Sequence, residues 1–398
     1  MRLSVGITIA ASLCLLMAAP ASASAAPPAS PCPGGRIATA SGCTSLAAAG
    51  RHVDAIVNRA VQDNDLRAVL LRIDVGDRTL TRISAGESMP GVPATRRMHF
   101  RIGAIAIPYL IDLLLQLQDK RKLSLDDPVS TWFPDLPNAD RVTLRMLASA
   151  TSGYPDWVQG NPAFVDALYD DVFRQWKTQE LVDVAFAQPP ACEPGACFHY
   201  AHTNFVILDR VIHKVTGQSV ARLMRARVLR PLGLRQTDIS ALPRIPAPVL
   251  HAYTADRGPY EDSTFWSPSW SIAKSTIMTS TIGDVIKSAK AIGTGALISP
   301  QASRERFAPP SVGFPGFGQE DLYYGLGAAV THAWEFQNPQ LNGYTAIMAY
   351  LPPSRIALAL TVTKGKRAAA TSTNFSALLW KQIAEYLTPS NPVKLPGL

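Results

Sequence analysis

The stretch FRIGAIAIPYLIDLLLQLQDKRKLSLDDPV, residues 100–129, decides the fold of this 398-residue chain. Apolar side chains dominate residues 105–117, which predicts a helix that is buried on most of its surface. Pro108 falls in the first turn of that helix, where its missing backbone N–H removes no helical hydrogen bond. The stretch therefore predicts an apolar helix that begins soon after Gly103.

Runs of β-forming residues lie near both ends of the chain, and helical patterns lie between them. Residues 69–75 and 79–84 surround a Gly76-Asp77 turn, which predicts a hairpin. Three more strands are predicted at residues 323–330, 344–351 and 356–363. Three more helices are predicted at residues 46–61, 204–216 and 374–386. We therefore expect one α+β unit, with an antiparallel sheet built from both chain ends, flanking helices and a mainly helical insertion.

The first residues have the pattern of a secretory signal peptide. A basic Arg2 is followed by an apolar run over residues 5–19 and by Ala-x-Ala sites that end at Ala25. We expect a signal peptide at 1–25, a leader segment at 26–45, the folded domain at 46–388 and a C-terminal tail at 389–398. These boundaries predict a periplasmic or secreted protein without a transmembrane anchor in the mature chain.

The composition is that of a globular protein, with 47% hydrophobic and 17% charged residues. It excludes a disordered, collagen-like or coiled-coil chain. The formal net charge is +8, but the basic residues are scattered, so we expect no nucleic-acid partner.

Four cysteines outside the signal peptide form two local pairs, Cys32 with Cys43 and Cys192 with Cys197. An exported chain meets oxidising conditions, so we expect two disulfides. A zinc site is the alternative, but neither spacing is Cys-x-x-Cys and the pairs are far apart. We expect no metal and no cofactor.

Several short motifs follow one another in a recognisable order along the chain. They include Phe100–Gly103, Lys122–Val129, Thr151–Asp156, Pro231–Leu234 and Tyr324–Gly327. In this order they resemble the serine β-lactamase and D-alanyl-D-alanine carboxypeptidase superfamily, most of all its class C-type branch, which also contains esterases. The resemblance covers most of residues 46–388 and implies the fold described above.

The resemblance also implies a Ser-x-x-Lys motif at the start of the apolar helix. That spacing lets the lysine accept the proton of the serine hydroxyl. The matching positions here are Ala104 and Ile107. Alanine has no atom that attacks a carbonyl and isoleucine cannot move a proton, so both nucleophile and base are missing.

Two further family motifs have changed as well. The Tyr-x-Asn motif is Tyr200-Ala201-His202, and the Lys-Thr-Gly position is Gln337-Asn338-Pro339. Proline offers neither the backbone donor nor the slim backbone of the family's glycine. Tyr200, without a lysine beside it, is expected to stay a neutral phenol.

We therefore expect a non-hydrolytic homologue that binds a peptide, a peptidoglycan-type ligand or an envelope protein in the inherited cleft. The expected lining is Ala104, Ile107, Tyr200 and Gln337. One alternative is an active serine hydrolase. Its nucleophile would be Ser271, which forms a second Ser-x-x-Lys sequence with Lys274, or another residue outside the family motifs. A second alternative is a structural envelope protein that does not use the cleft.

Overall fold

A computed structural model describes residues 32–396, and the predicted signal peptide lies outside them. The helices are α1 Leu46–Asp63, α2 Ile107–Asp119, α3 Leu144–Ala148, α4 Pro162–Asp170, α5 Thr178–Phe186, α6 His202–Thr216, α7 Val220–Met224, α8 Ile282–Gly293, α9 Pro300–Arg306, α10 Lys366–Ala369 and α11 Phe375–Leu387. The strands are β1 Ile37–Thr39, β2 Gly42–Thr44, β3 Leu66–Val75, β4 Arg78–Met89, β5 Val92–Pro93, β6 Phe100–Arg101, β7 Asp238–Ile239, β8 Tyr253–Thr254, β9 Glu261–Asp262, β10 Met278–Ser280, β11 Gly318–Gln319, β12 Leu322–Tyr324, β13 Ala329–Thr331, β14 Trp334–Gln337, β15 Gln340–Leu341, β16 Tyr344–Leu351 and β17 Ile356–Lys364.

The main sheet is antiparallel and is built from both ends of the described chain. Its order is β11-β12-β13-β14-β16-β17-β3-β4-β5, and β15 pairs with β16. The two chain ends meet where β3 pairs with β17, with Leu71 opposite Leu360. The predicted α+β class and sheet are confirmed.

Helices cover both faces of this sheet because its central strands carry apolar residues on both sides. Leu358 and Leu360 of β17 join the core formed with α1 and α11. Ala357 and Ala359, which point the other way, join the core that contains α2, α6 and α8. The apolar helix α2 is therefore fixed inside the second core, with its first turn near one edge of the sheet.

The prediction of one strand over residues 323–330 is wrong. The chain forms two short strands, β12 and β13, joined by a turn through Gly325 and Gly327. Gly327 has a φ of +70°, and a Cβ built on it would lie 2.4 Å from Cγ1 of Ile111. Only glycine satisfies both the left-handed backbone and the close approach of α2.

The leader and the tail both pack against the domain over the part that the structure describes. β1 and β2 form a hairpin held by the Cys32–Cys43 disulfide, and the N–H of Ala40 donates to the carbonyl of Tyr386 at 2.8 Å. The predicted leader segment therefore packs against the domain from Cys32 onwards. In the tail, the side chains of Val393 and Leu395 are buried against the domain.

Both predicted disulfides, Cys32–Cys43 and Cys192–Cys197, are formed. Over residues 32–396, no helix is long and apolar enough to cross a membrane.

Candidate functional site

A cavity of about 580 Å³ lies beside the first turns of α2 and α6 and the edge of the main sheet. It is lined by Gly103, Ala104, Gln159, Phe198, Tyr200, His202, Trp270, Ser271, Ile272, Phe317, Tyr324, Ala329, Gln337, Asn338, Pro339, Gln340, Leu341, Ser372, Thr373, Asn374, Ala377, Leu395 and Pro396. The structure thus places five of the six family-motif positions, and the alternative nucleophile Ser271, around one cavity.

Ala104, which the sequence motifs align with the nucleophile of the resembled family, lines the cavity. It belongs to a 3₁₀ turn, Gly103–Ala106, that leads directly into α2, and its half-buried side chain faces the cavity. A methyl group at this point offers neither a nucleophile nor a hydrogen bond.

Ile107 does not line the cavity, so that expectation is wrong. Its side chain is fully buried in the core, and a Cβ built on Gly327 would lie 3.1 Å from its Cγ2. The first turn of α2 directs residue 107 inwards, where an apolar side chain is stable and a charged one would lose its hydration.

His202 is held by a buried carboxylate that the sequence motifs did not single out. Nδ1 of His202 lies 2.8 Å from Oδ2 of Asp156, and the His202 backbone N–H donates to the same oxygen at 2.5 Å. The other oxygen of Asp156 accepts the backbone N–H groups of Val158 and Gln159. The imidazole is thereby fixed, and its Nε2 is left without a partner among the described residues.

The electrostatics of this pair favour an ionised Asp156. Burial raises the pKa of its carboxyl, but the charge and the hydrogen bond of His202, with the two backbone donors, lower that pKa to about 2. The carboxyl group of Asp156 is therefore ionised in the folded protein at neutral pH.

Tyr200 is a neutral phenol that faces the cavity. Burial raises the pKa of its hydroxyl well above the ordinary value. Electrostatic repulsion between a Tyr200 phenolate and the nearby Tyr324 and Asp156 raises this pKa further. Its ring contacts those of His202 and Tyr324 edge to face. The hydroxyl has no hydrogen-bond partner between residues 32 and 396, so it is available to a ligand.

Gln337 and Pro339 line the side of the cavity that is formed by β14 and the segment after it. Nε2 of Gln337 donates to the carbonyl of Gly327 at 2.7 Å and to the Tyr324 hydroxyl at 3.4 Å. Pro339 packs on Gly103, so that a Cβ built on that glycine would lie 2.8 Å from Cβ of Pro339. The backbone at residue 339 therefore has neither a donor nor an open approach.

Ser271 and Lys274 are not brought together as a catalytic pair. The Ser271 hydroxyl donates to the carbonyl of Pro268 at 2.7 Å. Lys274 begins a short 3₁₀ helix and is exposed, and it does not line the cavity. Ser271 and Lys274 do not lie in one continuous helix, so their three-residue spacing does not place both side chains on one helix face.

A disulfide-closed loop positions Tyr200 and His202. The backbone of the Cys192–Cys197 loop is bound to the preceding segment through Gly195 N–H to Thr151 O, 2.8 Å. At the start of α6, Ser152 donates to Oδ1 of Asn204 at 2.6 Å. These contacts attach both cavity residues to the same rigid part of the fold.

Several polar residues of the cavity wall were missed in the sequence because no motif contains them. They are Gln159, Gln340, Ser372 and Thr373. Asp156 was visible in the Thr151–Asp156 motif, but its partner lies 46 positions further along the chain. Over the described residues, no group of three His, Cys, Asp or Glu side chains is arranged to hold a metal ion.

Known proteins share this architecture. The chain matches the family model described as Beta-lactamase over residues 53–379. It is 32% identical to penicillin-binding protein 4 of Amycolatopsis lactamdurans over 152 residues, 37% of this chain and 38% of that protein. It is 27% identical to esterase EstB of Burkholderia gladioli over 212 residues, 50% of this chain and 53% of that protein.

The match spans only about a third of the length of the curated penicillin-binding relatives. Among solved structures, a D-stereospecific amidohydrolase from Streptomyces sp. superposes with a TM-score of 0.72 at 24% identity. That alignment covers 86% of this chain and 98% of the amidohydrolase. At this identity the superposition shows a common fold.

Proposed function

Because the chain belongs to the Beta-lactamase family, we propose that it is a non-hydrolytic member that binds a peptidoglycan-type ligand in the cavity. The observation that carries this proposal is the methyl group of Ala104 in the wall of an otherwise well-formed cavity. A cavity of this size is within the range of small-molecule binding sites. The presence of such a cavity beside a residue that cannot act as a nucleophile supports binding without turnover.

The ordered pair of Asp156 and His202 supports the same proposal. Burying a carboxylate costs free energy unless its oxygens accept hydrogen bonds. Both carboxylate oxygens of Asp156 accept hydrogen bonds here, and one of them fixes the His202 imidazole. Together with the free Tyr200 hydroxyl, the imidazole offers fixed hydrogen-bonding groups to a bound molecule. We propose further that the chain is exported and acts in the periplasm or outside the cell, as its N-terminal sequence predicts.

Thermal melting with soluble peptidoglycan fragments tests the proposal. A ligand at about 100 times its Kd stabilises the folded state by about 2.7 kcal/mol, which raises the melting temperature measurably. We expect this rise in the native protein and in Ser354→Trp, an exposed residue outside the cavity wall. We expect it to be lost in Ser372→Trp, which places an indole in the cavity.

Two results would count against binding in the cavity. The absence of any shift in the native protein would favour a structural envelope protein. An equal shift in Ser372→Trp and Ser354→Trp would place the ligand elsewhere on the surface.

An active serine hydrolase is the second candidate, because Ser271 lines the same cavity as the carboxylate-bound His202. It requires the Ser271 hydroxyl to leave the carbonyl of Pro268 and a base to reach it. Covalent labelling separates this candidate from the first.

A further inference from the structure

The cavity wall carries very few ionisable side chains. Over the described residues its lining contains no Asp, Glu, Lys or Arg. Apart from its phenols, the ionisable side chain in that lining is His202, and Asp156 lies directly behind it. When the imidazole is protonated, the adjacent carboxylate balances its charge. The wall thus provides no net positive charge to hold a carboxylate or a phosphate.

Neutral polar groups take the place of charges. The side-chain amides of Gln159, Asn338 and Gln340, and the hydroxyls of Ser372 and Thr373, line the cavity without hydrogen-bond partners in the described part of the chain. Asn374 differs, since its amide already caps α11 and donates to the carbonyl of Asn338. Amides and hydroxyls both donate and accept, which suits a ligand that has many hydroxyl and amide groups and no charge.

Aromatic rings form the apolar part of the same wall. Trp270, Phe198 and Phe317 are half-buried and contribute to the lining, and the ring centroids of Phe198 and Phe317 lie 5.5 Å apart. Rings with one face towards a polar cavity bind the flat C–H faces of a molecule whose edges are polar. A pyranose ring has this combination of an apolar face and hydroxylated edges.

An extended peptide fits the wall poorly. Peptides in such clefts add a strand to an exposed sheet edge through backbone hydrogen bonds. Pro339 has no N–H to donate, and its ring packs closely on Gly103. A saccharide needs no backbone ladder, so the closed strand does not exclude it.

We infer that the cavity binds an uncharged oligosaccharide of the N-acetylated hexosamine class. This inference rests on the proposed function and names the part of a peptidoglycan-type ligand that the cavity recognises, the glycan and not the peptide. Trp270 supplies the stacking surface, and Gln340 with its neighbours supplies hydrogen bonds to hydroxyl and acetamido groups.

Isothermal titration calorimetry with two probes tests the inference. The probes are the tetrasaccharide of N-acetylglucosamine, which is neutral, and D-alanyl-D-alanine, which carries a carboxylate. We expect the native protein to bind the tetrasaccharide and not the dipeptide. Trp270→Ala is expected to weaken tetrasaccharide binding about tenfold or more. Phe173→Ala, which removes an exposed aromatic ring outside the cavity, is expected to leave it unchanged.

A second matched pair covers the case in which Trp270→Ala fails to fold. Gln340 and Gln319 are both exposed, and only Gln340 lines the cavity. Gln340→Ala should weaken tetrasaccharide binding several-fold, whereas Gln319→Ala should not.

The outcomes separate this inference from the proposed function. Binding of the dipeptide without the tetrasaccharide would overturn the inference and leave the proposed function standing. Tetrasaccharide affinity that is equal in Gln340→Ala and Gln319→Ala, and undiminished in a folded Trp270→Ala, would also overturn it. If tetrasaccharide, dipeptide and soluble peptidoglycan fragments all fail to bind, both conclusions are wrong.

Discussion

Asp156 is the residue that most directly orders the cavity wall, because it fixes the His202 ring and receives three backbone N–H groups. Its carboxylate is almost completely buried, at 1% exposure. The charge of this single residue therefore has a measurable effect on folding stability.

Asp156→Asn is expected to reduce the free energy of unfolding at pH 7 by about 2 kcal/mol. The folded-state pKa of Asp156 is lowered to about 2, below its unfolded value of 3.8, so its contribution is present above pH 3.8 and is lost as the pH falls towards 2. Urea denaturation should show the same difference in unfolding free energy between native protein and variant at pH 7 and pH 5, and a smaller difference at pH 3. The exposed Asp140→Asn serves as control. A gap that stays constant with pH would mean that the charge of Asp156 is not its source.

Glu335 is expected to act with the opposite sign. Burial raises the pKa of its carboxyl to about 8, against the opposing charge of Arg306, and its Oε2 is buried without a partner among the described residues. The fold favours the protonated carboxyl group. Its contribution to stability is therefore complete below the unfolded pKa of 4.5 and is lost as the pH rises through the folded pKa of about 8.

Glu335→Gln imitates the protonated carboxyl at every pH. We expect the variant to exceed the native protein in unfolding free energy by about 2 kcal/mol or more at pH 8.5, since one pKa unit corresponds to about 1.4 kcal/mol. The two proteins should converge near pH 4.5. Glu320→Gln, which changes an exposed carboxyl group, should show no such trend. Parallel stability curves for Glu335→Gln and the native protein would contradict this account.

At the scale of elements, the first turn of α2 and the segment that follows β14 determine what chemistry the cavity permits. Ala104 can be exchanged for serine with little strain, because its side chain borders open space. Ile107 cannot accept a lysine as easily, because it is fully buried beneath the cavity. Pro339 blocks the strand position from the other side.

Restoring the family residues one element at a time tests this division. Ala104→Ser with Ile107→Lys is expected to lose stability, as an unpaired buried lysine does, and to react with fluorescent penicillin feebly or not at all. Adding Gln337→His and Pro339→Gly should raise the labelling rate about 10²–10³-fold, the usual effect of one oxyanion donor.

Melting curves of each variant must accompany the labelling rates, and Pro353→Gly, an exposed proline outside the cavity, controls for the loss of a proline. Equal rates in the double and quadruple variants would show that the strand is competent as it stands and that Pro339 does not close it.

At the scale of the whole molecule, the sequence patterns are sufficient to predict the main sheet and the long helices. The strands β16 and β17 and the hairpin β3–β4 are long apolar or alternating runs, and these patterns follow directly from burial in a sheet. β12 and β13 were merged into one strand because the turn between them depends on Gly327 packing against α2, a contact that no local pattern reveals.

The cavity shows a similar limit. The motif positions Ala104, Tyr200, His202, Gln337 and Pro339 were found from their order in the chain and do meet around one cavity. The pairing of Asp156 with His202 and the contribution of tail residues to the wall were not predictable, because they arise from tertiary packing between distant segments.

Intact-mass spectrometry after incubation with a fluorophosphonate, and separately with penicillin, tests the central claim most directly. With Ala104 at the nucleophile position and the Ser271 hydroxyl bonded to Pro268, we predict an unchanged protein mass in both incubations. A stoichiometric adduct would contradict the account, and its loss in Ser271→Ala would identify an active hydrolase with a relocated nucleophile.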